Sequence, residues 1–238
     1  MKKKKLSVVW GSLVILLFVI VAGFFYNQQT GSKTKAVTKV FSSSHIVKSS
    51  STQVINQNAY LSAMGARATN QPLPVIGQIA IPNVKVNLPI FQDSGATQIL
   101  YGAGTVDTDS IFGGANFALA SHHVFDIAGA ETYLFSPLTG SQIGMMIYVT
   151  DKTYVYQYKV DNIFVVQDTD LSVLDPVQGK QVITLIYCVN PSGPDRAIIR
   201  GSLISKTPFS ETNPTVKGYF TADFNQVPAD IVGILQHE

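Results

Sequence analysis

Cysteine is almost absent: Cys188 is the only one in 238 residues. A single thiol excludes an internal disulfide framework, so whatever holds this chain together is a packed core. Acidic residues are missing from the first 92 positions, and charged residues make up only 13% of the chain. Eight of the 17 lysines and arginines lie between Lys2 and Lys48, and the other nine face all 15 acids from position 67 onward. The formal charge of +2 therefore hides a segment 59–238 with a net charge of −6. Such a domain lacks the cationic face that phosphates require, which argues against nucleic acid as a partner. There is no internal repeat, and helical periodicity is scarce.

The basic excess sits at the start. "MKKKK" precedes residues 6–26, a run of 21 without a charge. As a helix that run spans roughly 32 Å, close to the hydrocarbon thickness of a bilayer, about 30 Å. Lysines ahead of it favour a cytoplasmic N-terminus, with everything after Tyr26 outside. A cleaved signal peptide has a shorter apolar stretch and a small-residue cleavage site, and none is seen. The expected organisation is a cytoplasmic tail at 1–5, a single-pass anchor at 6–26 and a polar, flexible tether at 27–58 with a reach of roughly 30 Å. A globular domain at 59–206 follows, then an extension at 207–238 for which the residues offer no account. "AYLSAMGARA" reads as a short helix at the domain entrance.

From Ile76 the pattern is that of strands. "IGQIAI" and "VKVNLPIF" alternate around a Pro82-Asn83 turn, and "ANFALAS" is short and apolar. "MMIYVT", "YVYQYKVDNIFVVQD", "QVITLIY" and "RAIIRGSLIS" are rich in β-branched and aromatic residues. "TQILYGAG" and "AETYLFSPL" are the helical candidates. Short strands with Gly, Pro and Asp turns predict an all-β fold, an antiparallel sandwich or a closed barrel.

A lone thiol outside a membrane is paired with another chain, buried and inert, or reactive. A reactive one needs a proton carrier. Of four histidines, His45 lies in the tether and His237 beside the C-terminus, while His122 and His123 end the strand "ANFALAS". Cys188 ends "QVITLIY". If the two strands are neighbours, thiol and imidazole meet at one rim. Arg196 or Arg200 then supplies a cation for a thiolate or an oxyanion. On residue types this points to Cys–His acyl transfer.

Several ordered motifs resemble one family. "LPVIGQIAIPNVKVNLPIF", "ILYGAGTV", "GGANFALASHHVFD" and "TLIYC" are similar to successive segments of class A, housekeeping sortases of Gram-positive bacteria, over about residues 73–205. The resemblance implies a closed eight-stranded β-barrel with short helices. It implies Cys188 as nucleophile, His122 as the family histidine and Arg196, eight residues on, as the family arginine. Ala120, Ser121 and Ile186 match substrate-groove positions. The implied substrates are surface proteins with an LPxTG-type signal, cleaved between Thr and Gly. The implied acceptor is an amine of a lipid-linked peptidoglycan precursor. No cofactor and no metal enter. The family's Thr before the cysteine is Tyr187 here, so that Thr's role does not carry over.

Plainer readings stand beside these. Arg200 shares a strand face with Arg196 and is its rival for the oxyanion. His123 is read as facing solvent or capping the strand end, and no catalytic role is assigned to it. Asp107, Asp109, Asp168, Asp170 and Asp175 suggest calcium only if they converge, which spacing cannot establish. A cell-wall peptidase or amidase uses the same pair with water as acceptor. A pilin-polymerising enzyme is a variant within the family. A barrel-shaped binding module with a dead site is the non-enzymatic reading.

Overall fold

The alternating segments become strands, and they close on themselves. The computed structural model describes Leu73, residues 75–228 and Val232. The anticipated anchor, the tether and the short helix at 59–68 lie outside the described residues. Among the described residues, no helix is long and apolar enough to cross a membrane.

Eight strands form a closed barrel in the order β1-β2-β3-β4-β7-β8-β6-β5. They are β1 (Val75–Ile81), β2 (Val86–Phe91), β3 (Ala103–Thr105), β4 (Asn116–Ala120), β5 (Met146–Thr150), β6 (Tyr154–Gln167), β7 (Val182–Cys188) and β8 (Asp195–Pro208). Closure removes the unpaired edges that an open sheet would leave for aggregation. The interior is filled by alternate side chains, among them Ile79, Leu88, Phe117, Leu119, Ile147, Leu185 and Ile199, all essentially inaccessible.

The barrel is mixed, which corrects the antiparallel expectation. β2 pairs parallel with β3, and β4 parallel with β7. The three-residue β3 went unforeseen because "AGT" carries no β signal. "TQILYGAG" instead divides into helix α1 (Ala96–Tyr101) and this strand. "AETYLFSPL" forms two 3-10 turns, Ala130–Thr132 and Ser136–Gly140, rather than a helix. Pro137 and the left-handed Leu134 (φ 50°) interrupt any regular run.

Beyond position 206 the described residues stay on the barrel. A second helix, α2 (Pro214–Tyr219), is capped by Asn213, whose side chain accepts from the Thr215 amide. Phe220 packs with Ala80 and Val155, while Val227 and Val232 join the main core. Asn225 is a bolt between distant segments. Its side chain accepts from the Asn87 amide at 2.7 Å and donates to the Leu134 carbonyl at 2.8 Å. Its own carbonyl accepts from the Leu134 amide at 2.7 Å.

Candidate active site

The parallel β4–β7 ladder brings the two candidate reacting groups to one rim. Its register runs from Asn116 opposite Val182 to Ala120 opposite Ile186. Two residues further on come His122 on one strand's exit and Cys188 at the end of the other. Cys188 is partly accessible. Across the next ladder, Cys188 pairs with Arg196, Ile186 with Ile198 and Thr184 with Arg200. Directly opposite residues in a ladder point to the same face. Ala118, Ala120, Thr184, Ile186, Cys188, Arg196, Ile198 and Arg200 therefore line one outer wall of the barrel, opposite the inward Phe117, Leu119, Leu185 and Ile199.

Half of this wall is covered. A 3-10 turn at Leu171–Leu174 lies over its lower part. Asn116 Nδ2 donates to the Val173 carbonyl at 2.9 Å, and Arg200 Nη2 donates to the same carbonyl at 2.7 Å. Ala118, Thr184 and Ile198 are consequently buried, while Ala120, Ile186 and Cys188 remain partly open. The open part is a short apolar trough with the thiol at its end.

The two arginines have different surroundings. Arg200 is built into the cover: it also donates from Nε to Thr184 Oγ1 at 3.3 Å and stacks on the Phe164 ring at 5.5 Å. Arg196 stands at the thiol's level. Its Nη1 donates to the Gly193 and Asp195 carbonyls, both at 3.1 Å, and its Nη2 reaches Asp168 Oδ2 at 3.4 Å. The loop 189–194 is short, which returns the chain to Cys188's level at once. Val189 and Asp195 close it by an N–H to carbonyl bond of 3.1 Å.

His122 follows Ser121 on a segment held on both sides. The Ser121 hydroxyl donates to the Gly102 carbonyl at 2.6 Å, at the end of α1. Ser121 is thus buried and turned away from the trough, unlike Ala120. The Phe135 amide donates to the His122 carbonyl at 3.0 Å, and the Val124 amide donates to Ser136 Oγ at 2.8 Å. Burial pushes the His122 imidazole below its ordinary pKa, because the cation loses hydration that nothing nearby replaces.

Sequence alone assigns His123 no catalytic role, yet its ring touches the Cys188 backbone. Its Nδ1 lies 2.9 Å from the Cys188 carbonyl oxygen. Its ring packs on Phe125 at 4.0 Å and edge-on against Tyr187 at 5.6 Å. Tyr187 is itself buried and faces inward. A phenol in place of the motif's Thr therefore sits beside the His123 ring rather than in the trough.

The loop aspartates are locally engaged. Asp107 Oδ1 accepts from the Asp109 amide, Asp170 Oδ1 accepts from the Ser172 amide and hydroxyl, and Asp168 meets Arg196. Among the described residues, no three His, Cys, Asp or Glu converge as metal ligands would.

A family model described as the sortase domain matches residues 79–204. The chain belongs to the sortase family. It is 41% identical over 167 residues to sortase A of Streptococcus agalactiae, spanning 70% of this chain and 68% of that protein. It is 30% identical over 204 residues to sortase A of Bacillus anthracis, covering 81% of this chain and 94% of that one. The crystal structure of Listeria monocytogenes sortase A superposes with a TM-score of 0.56 at 34% identity, over 62% of this chain and 98% of that one. These likenesses make it a class A sortase. Sortase C of Streptococcus pneumoniae shares the fold at a TM-score of 0.54 and 20% identity.

Proposed function

We propose that this sortase is a membrane-anchored cysteine transpeptidase. It cleaves an LPxTG-type sorting signal between Thr and Gly and joins the surface protein to an amine of a cell-wall precursor. The observation that carries this reading is the β4–β7 ladder, which delivers His122 and Cys188 to one rim beside an open apolar trough. A sortase transpeptidase role is also what the class A relatives support.

In this mechanism the signal lies in the trough along Ala120 and Ile186, with its Thr carbonyl at the Cys188 sulfur. Cys188 passes its proton to His122, the resulting thiolate attacks that carbonyl, and a tetrahedral oxyanion forms. Arg196, opposite Cys188 in the ladder, swings a guanidinium N–H from its loop carbonyls to the oxyanion or the peptide. Imidazolium His122 protonates the departing glycyl nitrogen, leaving a thioacyl enzyme. The acceptor amine then attacks the thioester and gives up its proton to His122, while the sulfur departs as thiolate and takes that proton back to regenerate the thiol. Lysines 2–5 and the apolar run 6–26 hold the enzyme at the membrane with its domain outside, where both substrates are found.

The test is mass spectrometry of the ectodomain with an LPxTG peptide. A thioacyl adduct on Cys188 is expected, and an added amine should resolve it to a transpeptidation product. Cys188→Ala should abolish adduct and product, and His122→Ala should remove most of the activity. Peptide hydrolysis at a rate indifferent to amine would replace this reading with a peptidase. Absence of any adduct would leave the barrel a binding module.

A further inference from the structure

The β4–β7 ladder ends one rung earlier in the backbone than it does in hydrogen bonds. The last backbone rung runs from the Ser121 amide to the Ile186 carbonyl at 3.3 Å. In a parallel ladder the rung after it, in the same direction, joins the amide of residue 123 to the carbonyl of residue 188. Here the imidazole of His123 makes that rung instead, with Nδ1 at 2.9 Å from the Cys188 oxygen. The main chain is thereby freed to peel away after Ser121 and take up its bonds to Phe135 and Ser136. Were the side chain lost, the Cys188 carbonyl would face the departing strand without its partner.

We infer that His123 is a positioning residue: its Nδ1–H continues the ladder and clamps the Cys188 peptide at a fixed distance from the segment carrying His122. This rests on Cys188 and His122 being the reacting pair. A carbonyl only accepts, so Nδ1 must carry the proton, and the ring's contacts fix its orientation. Phe125 lies on one side, and Tyr187 offers an edge-on neighbour. The covalent link from His123 to His122 turns one hydrogen bond into a tie between the proton carrier and the nucleophile. The titratable groups facing this ring are His122 beside it, Tyr187 beneath it and the thiol of the residue whose carbonyl it holds. The bond itself survives protonation, since Nδ1–H is present in the neutral tautomer and in the cation alike.

Geometry separates this role from mere packing. The amide nitrogen of an asparagine side chain stands the same number of bonds from Cα as histidine Nδ1, whereas that of glutamine stands one bond further. The experiment compares His123→Ala, His123→Asn and His123→Gln in the full chain, with an LPxTG peptide and single-turnover measurement of the Cys188 adduct. His123→Ala should slow adduct formation on the order of tenfold, the loss of about one hydrogen bond in the reacting geometry, with KM unchanged. His123→Asn should recover most of that rate, and His123→Gln should not. Nitrogen NMR of the wild-type ring should find Nδ1 protonated at a pH where the imidazole is neutral. Equal rates for wild type and His123→Ala overturn the assignment. So does an asparagine variant as slow as alanine, or a ring protonated on Nε2. If instead the wild type forms no Cys188 adduct, the transpeptidase reading has failed, and the NMR result still decides whether the clamp exists.

Discussion

Cys188 and Arg196 face each other across the β7–β8 ladder, and Thr184 and Arg200 do so two rungs farther down. The same face thus carries two arginines at different levels, and the cover formed by Leu171–Leu174 lies on the lower one. Arg196→Ala should cost on the order of 10²–10³ in the acylation rate, the range for losing one oxyanion donor. Arg196→Lys should recover part, keeping the charge without the planar fork. Peptide kinetics on both variants check this.

Arg200→Ala should act on stability instead. It would remove one of two donors to the Val173 carbonyl, which keeps Asn116, and the donor to the Thr184 hydroxyl, which still gives its own proton to Asn116; the two lost hydrogen bonds cost about 1–3 kcal/mol. Urea denaturation should register the loss, while the rate per folded molecule stays as it was. A large catalytic loss here with little at Arg196 would exchange the two roles.

His122 predicts a direction of pH dependence. In the unfolded chain an imidazole titrates near about 6.5, whereas burial holds the folded His122 lower. Above the unfolded value both states are neutral and stability is complete. As pH falls through it toward the folded value, the unfolded chain takes up the proton first and stability is lost. Comparing urea midpoints at about pH 7.5 and about pH 5 should reveal this loss, and His122→Gln should reduce it.

Lys152 predicts the opposite end of the scale. Burial brings its pKa down from 10.5 to about 8, with Nζ on Gln78 Oε1 at 2.9 Å and between the Phe209 and Phe220 rings. Between those two values the unfolded chain holds the proton that the folded one has released, so stability should rise with pH across that window. Buried tyrosines Tyr156 and Tyr158, whose pKa values are raised, reverse the trend once free tyrosine begins to ionise near about 10. Lys152→Met should remove the rise in a urea series.

The anchor is checked by membrane fractionation. External protease should release a fragment beginning within residues 27–75, leaving the apolar run 6–26 in the membrane. A full chain found free in the medium and shortened near residue 23 would mean a cleaved signal.

Seven of the eight strands were legible because their side chains alternate over five or more residues, which is a local property. β3 was not, being three small residues held by neighbours on both sides. Parallel pairing was hidden too, since register is a relation between segments rather than a property of either. The candidate groups of the site were legible in residue types: one thiol, one histidine pair, two arginines. Their contacts were not. Ser121 adjoins His122 in sequence yet binds Gly102 on the other side of the strand, and His123 shows its use only beside the Cys188 carbonyl.

Asn225 bonds to Asn87 across 138 positions of chain. That pairing sets a timetable. β2 is made early in synthesis and its Asn87 finds Gln78 nearby, yet its partners Ala222 and Asn225 arrive 135 and 138 positions later. Until the chain reaches them, the places that Val227 and Val232 take in the main core are unfilled. Long-range closures of this kind slow folding, because chain entropy is lost well before the contact repays it. The enzyme should therefore gain its rigid histidine segment, which hangs on Leu134 and hence on Asn225, as one of its final folding events. A sortase chain that has not yet reached Asn225 would lack the bolt that holds Leu134 and the segment behind His122.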